Sequence, residues 1–177
     1  MRRRLRLWAA GGILWTVTIG TLLHFTYRWS GGAMLAAAFS AVNESTWEHM
    51  KLLFVPVFLF TVVQVGFLAR DYPNFLAVRT ISALTGTGLI PVLFYTYTGI
   101  VGTHVLWADI AVFVLSVLGT FLLELYLLRR SQSTAPWQQL AGLLALWGLA
   151  FAFVWCTFHP PHLALWQDPV TGLYGIP

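Results

Sequence analysis

The chain alternates long apolar stretches with short polar connections. Five stretches of nineteen or more residues carry few charges, and they cover residues 7–25, 46–69, 75–98, 104–128 and 137–158. A helix rises about 1.5 Å per residue and a bilayer core is about 30 Å thick, so each stretch is long enough to cross it. The pattern predicts an all-α integral membrane protein with about five transmembrane helices.

A sixth apolar stretch, residues 33–42, is too short to cross a membrane. It follows Ser30, Gly31 and Gly32, which are typical turn-forming residues. Ten residues make about 15 Å of helix, which is half of a bilayer core. Irregular backbone at that depth must be covered by protein, so we expect a half-helix that is either re-entrant or interfacial.

The distribution of cations predicts the orientation of the helices. With the N-terminus inside, eight of the ten Lys and Arg residues lie on the inner side, and only Arg28 and Lys51 lie outside. This asymmetry follows the positive-inside rule. The eight inner cations are Arg2, Arg3, Arg4, Arg6, Arg70, Arg79, Arg129 and Arg130.

The chain is expected to form a single transmembrane domain over residues 1–177, because no internal repeat or linker divides it. The first apolar run is longer than the apolar region of a signal peptide, which predicts an uncleaved first helix. Residues 159–177, the C-terminal tail, then lie outside. The tail is predicted to be either a lid over the outer face or an interfacial coil.

Composition narrows the class of protein. The chain is 58% hydrophobic and 9% charged, more apolar than a water-soluble domain of 177 residues can bury. The net charge of +4 does not indicate nucleic-acid binding, since the cations fall between apolar segments where topology explains them. One cysteine, Cys156, excludes an internal disulfide and a multi-cysteine metal site.

The richest polar segment is Asn-Glu-Ser-Thr-Trp-Glu-His-Met-Lys at residues 43–51, which we call the Asn43–Lys51 motif. Ser45 followed by Glu48 fits a helix capping box. Glu48 and Lys51 are three residues apart on one helix face, which favours an ion pair. Lys51 is also at a depth where a pair with Asp109 on another helix is an alternative.

The predicted topology gathers all five histidines at the outer end of the helices. His24, His49, His104 and His162, with Glu44 and Glu48, are nitrogen and oxygen donors of the kind that zinc accepts. His104 and Asp109 are about 140° apart on a helix, so either the helix start is irregular or only one of them faces a site.

These donors lead to our first hypothesis, a membrane-embedded enzyme with an outer-facing, zinc-dependent site that acts on a lipid or isoprenoid. A metal-bound water would be the nucleophile. The candidate residues are His49, His104 and His162 as metal ligands, Glu44, Glu48 and Asp109 as catalytic groups, and Arg28, Lys51 and Asn43 as substrate-binding groups.

Two alternatives remain open at the level of sequence. A small transporter or proton-coupled carrier would need a polar path to the inner face through Gln64, Ser116 and Glu124. A non-catalytic membrane scaffold would instead pair every charge for assembly. The sequence does not predict an oligomeric state.

The Asn43–Lys51 motif, with residues 97–100 (Tyr-Thr-Gly-Ile), 160–162 (Pro-Pro-His) and 168–175, resembles an uncharacterised family of small bacterial multi-spanning membrane proteins. That resemblance implies a bacterial inner (plasma) membrane location and no particular activity.

A weaker similarity is to the alkaline-ceramidase-like membrane hydrolases, which combine Ser, Asp and three His in a zinc site. The matching residues are Ser45, His104, Asp109, His159 and His162. Those hydrolases have seven helices, and three residues separate the histidines of their last motif where two do so here.

Overall fold

The structure is a computed structural model that describes residues 2–130 and 135–176, with only the backbone of Arg2. Its helices are α1 (Arg2–Trp29), α2 (Met34–Phe39), α3 (Thr46–Leu68), α4 (Phe75–Val101), α5 (Leu106–Arg130) and α6 (Pro136–Phe158). A single 3-10 turn, Ala164–Trp166, lies in the C-terminal tail.

All helices except α2 are long and apolar enough to cross a membrane. The prediction of an all-α, multi-spanning membrane protein is therefore confirmed. Helix α1 begins at Arg2, five residues before the predicted apolar stretch, because arginine favours a helix and extends it at this end. The short helix α2 lies within the predicted half-helix, and it ends at Ser40, whose hydroxyl donates to the Ala36 carbonyl at 2.7 Å.

Helices α3 and α4 form the centre of the bundle. Helix α3 contacts α1, α4 and α6, and α4 contacts α3, α5 and α6. The apolar residues of α3 lie on all sides of the helix, as expected where some sides pack on other helices and the rest face lipid. Glycine permits the close approach of α4 to α5, since a Cβ at Gly86 would lie 1.7 Å from the Thr120 hydroxyl.

Arg79 corrects one element of the predicted topology. The charge pattern counts Arg79 among the cations of an inner connection, but Arg79 lies in α4 and is completely buried. One of its nitrogens, Nη2, donates to Glu124 Oε1 at 2.8 Å and makes a very short contact with Gln64 Oε1. Arg79 is therefore part of an internal ion pair, because a buried charge needs a partner inside the bundle.

The described part of the C-terminal tail, residues 159–176, folds back over the start of α3. The rings of Trp166 and Trp47 are 4.8 Å apart, and the Asn43 side-chain amide donates to the Gly175 carbonyl at 2.8 Å. Asp168 stabilises the final turn by accepting from the Val170 amide at 2.8 Å. The role of this tail as a lid stays a prediction, and Pro177 lies outside the described residues.

Candidate functional site

The start of α3 is organised by local hydrogen bonds within the Asn43–Lys51 motif. The Ser45 hydroxyl accepts from the Glu48 amide at 3.4 Å, as expected of an N-cap. The Ser45 amide donates to Asn43 Oδ1 at 2.9 Å, whereas the Glu48 carboxylate accepts from the Val42 amide at 3.2 Å. The N-cap is thus confirmed. In a full capping box the Glu48 carboxylate would accept from the Ser45 amide, but here it accepts from the Val42 amide instead.

Glu48 and Lys51 form a buried ion pair with an O–N distance of 2.6 Å. Lys51 also donates to the Ala37 carbonyl and the Thr157 hydroxyl, and that hydroxyl donates to Glu48 at 2.9 Å. The pair therefore joins α2, α3 and α6. The Lys51–Asp109 alternative is wrong, because Lys51 is fully buried with these partners.

The same contacts define the surroundings of three predicted site residues. Glu48 is 2% exposed and Lys51 is not exposed, so both side chains are enclosed by the bundle. Asn43 uses its amide nitrogen for the tail and its amide oxygen for the Ser45 backbone. All three side chains therefore make contacts that join separate parts of the fold.

A different set of donors converges near the end of α1 and the start of α3. Ligand atoms of His24, Glu44 and His49 all lie within 4.8 Å of one another. Glu44 Oε2 is 3.5 Å from His49 Nε2, and Glu44 Oε1 is 3.9 Å from His24 Nε2. All three side chains are 29–51% exposed, so the site is open to solvent. We call this set the His24–Glu44–His49 triad.

The backbone orients one of these ligands. His49 Nδ1 lies 3.0 Å from the Ser45 carbonyl oxygen. A carbonyl only accepts, so in the neutral ring the proton is on Nδ1 and Nε2 carries the free lone pair towards Glu44. Metal-binding histidines are commonly held in this way through their second nitrogen.

His24 was recognised in the sequence only as one of several possible donors, and it was not among the chosen ligands. Its ring lies 5.4 Å from that of His49. The sequence signal that could identify His24 is its position along the helix. His24 is near the end of α1 and His49 is near the start of the adjacent α3, so both lie at about the same level of the bundle.

His104 and Asp109 form a separate cluster before and within α5. His104 Nδ1 lies 3.3 Å from Asp109 Oδ2, and the Tyr97 hydroxyl makes a very short contact with Asp109 Oδ1. The helix begins only at Leu106, so the predicted irregular start is what lets His104 fold back onto Asp109. Neither residue belongs to the triad.

The two tail histidines make ring contacts instead of joining the triad. His162 stacks on Tyr174 with ring centres 4.7 Å apart, and His159 stacks on Trp155 at 4.4 Å. Of the three histidines predicted as metal ligands, only His49 lies in the His24–Glu44–His49 triad among the residues described. The structure places His104 and His162 in other contacts.

The deeper polar residues that a carrier would need are buried inside the bundle. Gln64, Ser116 and Glu124 are at most 2% exposed. Gln64 and Glu124 bind Arg79, as described above. A continuous polar path along these three residues is therefore not supported.

Comparison with curated proteins found no match, and comparison with solved structures found none. A family of unknown function, DUF6512, matches residues 2–176. This match covers almost the whole chain, including the Asn43–Lys51 motif, the triad and the C-terminal tail. The chain therefore belongs to the DUF6512 family.

Proposed function

We propose that this protein is a membrane-embedded, metal-dependent enzyme whose metal ion is bound by the His24–Glu44–His49 triad. The observation that carries the proposal is the convergence of three ligand atoms from α1, the α2–α3 connection and α3 within 4.8 Å. Side chains from three separate elements meet at one point only if the fold brings them there.

The donor set fits zinc. Two histidines and a glutamate are one of the ligand sets of catalytic zinc sites, in which three protein ligands leave a position for water. Ligands at roughly 2.0–2.2 Å from a tetrahedral zinc are about 3.3–3.6 Å apart. The distance of 3.5 Å from Glu44 Oε2 to His49 Nε2 matches that spacing. His24 Nε2 is 3.9 Å from the other carboxylate oxygen, and the ligand atoms lie up to 4.8 Å apart, so zinc would draw the side chains closer together.

The chemistry that a bound zinc would supply is a water of lowered pKa, a nucleophile for hydrolysis near neutral pH. This chain's own residues would do the rest. The Ser45 carbonyl holds His49 in the ligating tautomer. Glu48 and Lys51 brace α2 and α3, between which Glu44 lies.

The surroundings of the triad favour a lipid or isoprenoid headgroup as substrate. Arg28 is exposed one helical turn beyond His24, in position to bind an anionic group such as a phosphate. On the other side, α2 exposes Met34, Leu35 and Phe39 by 47–77%. A cation beside a short apolar helix suits a molecule with a polar head and an apolar chain.

Metal content and thermal stability test the metal site directly. Zinc at about 100 times its dissociation constant adds roughly 2.7 kcal/mol of stability, provided that it binds only the folded protein. We expect this gain in the wild type and its loss in His24→Ala, Glu44→Gln and His49→Ala. His104→Ala, the matched histidine control, should keep it. An equal loss in the control, or no gain in the wild type, would reject the triad as the ligand set.

The enzymatic part needs a separate assay. Vesicles that contain the protein and a phosphate-bearing lipid should release product, as detected by mass spectrometry, and a chelator should stop the release. Arg28→Gln should weaken turnover of anionic lipids more than that of neutral ones. Zinc binding without turnover of any lipid class would retain the metal site and reject the hydrolase.

A further inference from the structure

The opposite end of the bundle holds buried polar atoms that the proposed function does not use. Within the residues that the structure describes, Nε and Nη1 of Arg79 and Oε2 of Glu124 have no hydrogen-bond partner. Arg79 is not exposed at all, and Glu124 is 2% exposed. Unsatisfied groups of this kind are rare in folded proteins and are commonly satisfied by ordered water.

The aromatic neighbours of Arg79 do not solve this problem. The Phe75 and Phe121 rings lie 5.6 and 5.2 Å from the guanidinium carbon, which favours the positive charge. A ring face does not provide the strong acceptor that an N–H group requires, so two nitrogens of Arg79 still lack one. The missing partner is therefore a small molecule that both donates and accepts, and water is the simplest.

A narrow cleft near the start of α1 reaches the Glu124 side of this ion pair. It is lined by Leu5, Trp8, Ala9, Gln64, Glu124 and Leu125. A second and wider cleft, with a volume of about 120 Å³, lies beside Arg4, Leu68, Asp71 and Tyr72. Leu5 lines both clefts and is only 3% exposed.

Leu5 is therefore the side chain that separates the two clefts. The wider cleft has space for water, but the inner one is too narrow for it while the side chains stay where they are. A rotamer change of Leu5, in the first turns of α1, would join them.

We propose that this end of the bundle carries a second, water-accessible site, in which water enters past Leu5 and binds Arg79 and Glu124. The ligand class is water and the proton that it carries. The site is closed on the other side, because Phe121 is fully buried and packs against Phe60 with ring centres 6.2 Å apart. It is thus a dead-end pocket, independent of the triad near the other end of α1.

Radical footprinting of the wild-type protein tests this without any variant. Water radiolysis modifies side chains that touch bound water, so Leu125, which lines the inner cleft and not the wider one, should be oxidised. Leu149 is a matched control, a leucine in α6 that is also partly buried and lines neither cleft. Equal, background-level oxidation of both leucines would overturn the proposal.

Thiol labelling gives a second, directional measurement. In a Cys156→Ala background, Ala9→Cys places a thiol in the cleft, and Ala83→Cys is a control of the same size on α4, fully buried. A small water-soluble reagent should label Ala9→Cys at least about tenfold faster than Ala83→Cys, a difference of roughly 1.4 kcal/mol in activation free energy. Labelling should come from the α1 N-terminal side, accelerate with Leu5→Ala and slow with Leu5→Phe.

Equal labelling of the two thiols, labelling only from the other side, or no effect of Leu5 would each reject the site. None of these results depends on zinc, since every reporter is at the end of α1 opposite His24. Failure of the triad and failure of this site are therefore distinguishable.

Discussion

Replacing Lys51 by methionine tests whether the Asn43–Lys51 motif contains a buried ion pair that the fold requires. Methionine has a similar length and keeps the packing of the lysine stem, but it has no charge and no donor. Glu48 would keep one backbone donor, the Val42 amide, and the Thr157 hydroxyl. Its negative charge would remain buried without a cation.

The expected cost follows from the burial of the pair. The Glu48 and Lys51 side chains are 3% and 0% exposed, with charged atoms 2.6 Å apart. Removing one partner of such a pair costs about 3–5 kcal/mol, because the other charge stays in a medium of low dielectric constant. For a chain of this length that corresponds to a fall in melting temperature of about 6–20 °C.

Thermal unfolding in detergent, followed by helix content, provides the measurement. Arg129→Met is the matched control, since Arg129 is an exposed cation at the end of α5, and it should change stability by less than about 0.5 kcal/mol. The double variant Glu48→Gln with Lys51→Met removes both charges and should recover about 1–3 kcal/mol of the loss.

Two results would refute this reasoning. The first is a Lys51→Met protein as stable as the Arg129→Met control, which would mean that the pair is hydrated or not formed. The second is a double variant whose loss equals the sum of the two single losses, since independent charges do not couple.

Three further predictions address other parts of the chain. Arg79→Met should cost about 3–5 kcal/mol, whereas Arg4→Met, which removes a largely exposed ion pair, should cost at most about 1 kcal/mol in the same unfolding assay. Asn43→Ala should release the C-terminal tail, which faster limited proteolysis within residues 159–176 would reveal, and unchanged cleavage would contradict it. Zinc affinity measured by calorimetry should fall on acidification, because histidine and carboxylate ligands bind a metal only when deprotonated, and a pH-independent affinity would contradict the triad as the ligand set.

The helical plan was predictable because the length of an apolar run is a local property. Each spanning helix needs about 20 apolar residues, and the chain supplies five such runs. The N-cap at Ser45 and the pairing of Glu48 with Lys51 were also predictable, since both depend on spacing within one helix turn.

Contacts between helices were harder to predict, because they depend on helix rotation and on residues far away in sequence. Thr157, which completes the Glu48–Lys51 network, is more than 100 residues from either partner. The position of Arg79 was hard to predict for a related reason. The positive-inside rule counts cations only, and it does not consider whether a carboxylate on another helix lies at the same depth. Glu124 does lie there, so Arg79 is buried within the apolar run.

The residues of the candidate metal site were hard to predict from the sequence for the same reason. The sequence indicated that all histidines lie at the outer end, but a shared end is an area rather than a point. Neighbouring helices bring residues together only on the faces that they turn towards each other. His24 of α1 and His49 of α3 lie on such faces. His104 lies between α4 and α5 instead, where Asp109 is its partner.

Helix α2 explains why a carboxylate reaches the same point. It has six residues, too few to cross the membrane, so the chain turns back and Glu44 lies near the end of α1. The buried charges of Glu48 and Lys51 then fix α2 and α3 against α6. The Asn43–Lys51 motif is therefore divided by burial: its enclosed charges hold the connection in place, whereas Glu44 and His49 are the charged or ionisable members that remain accessible, which is what the proposed metal site requires.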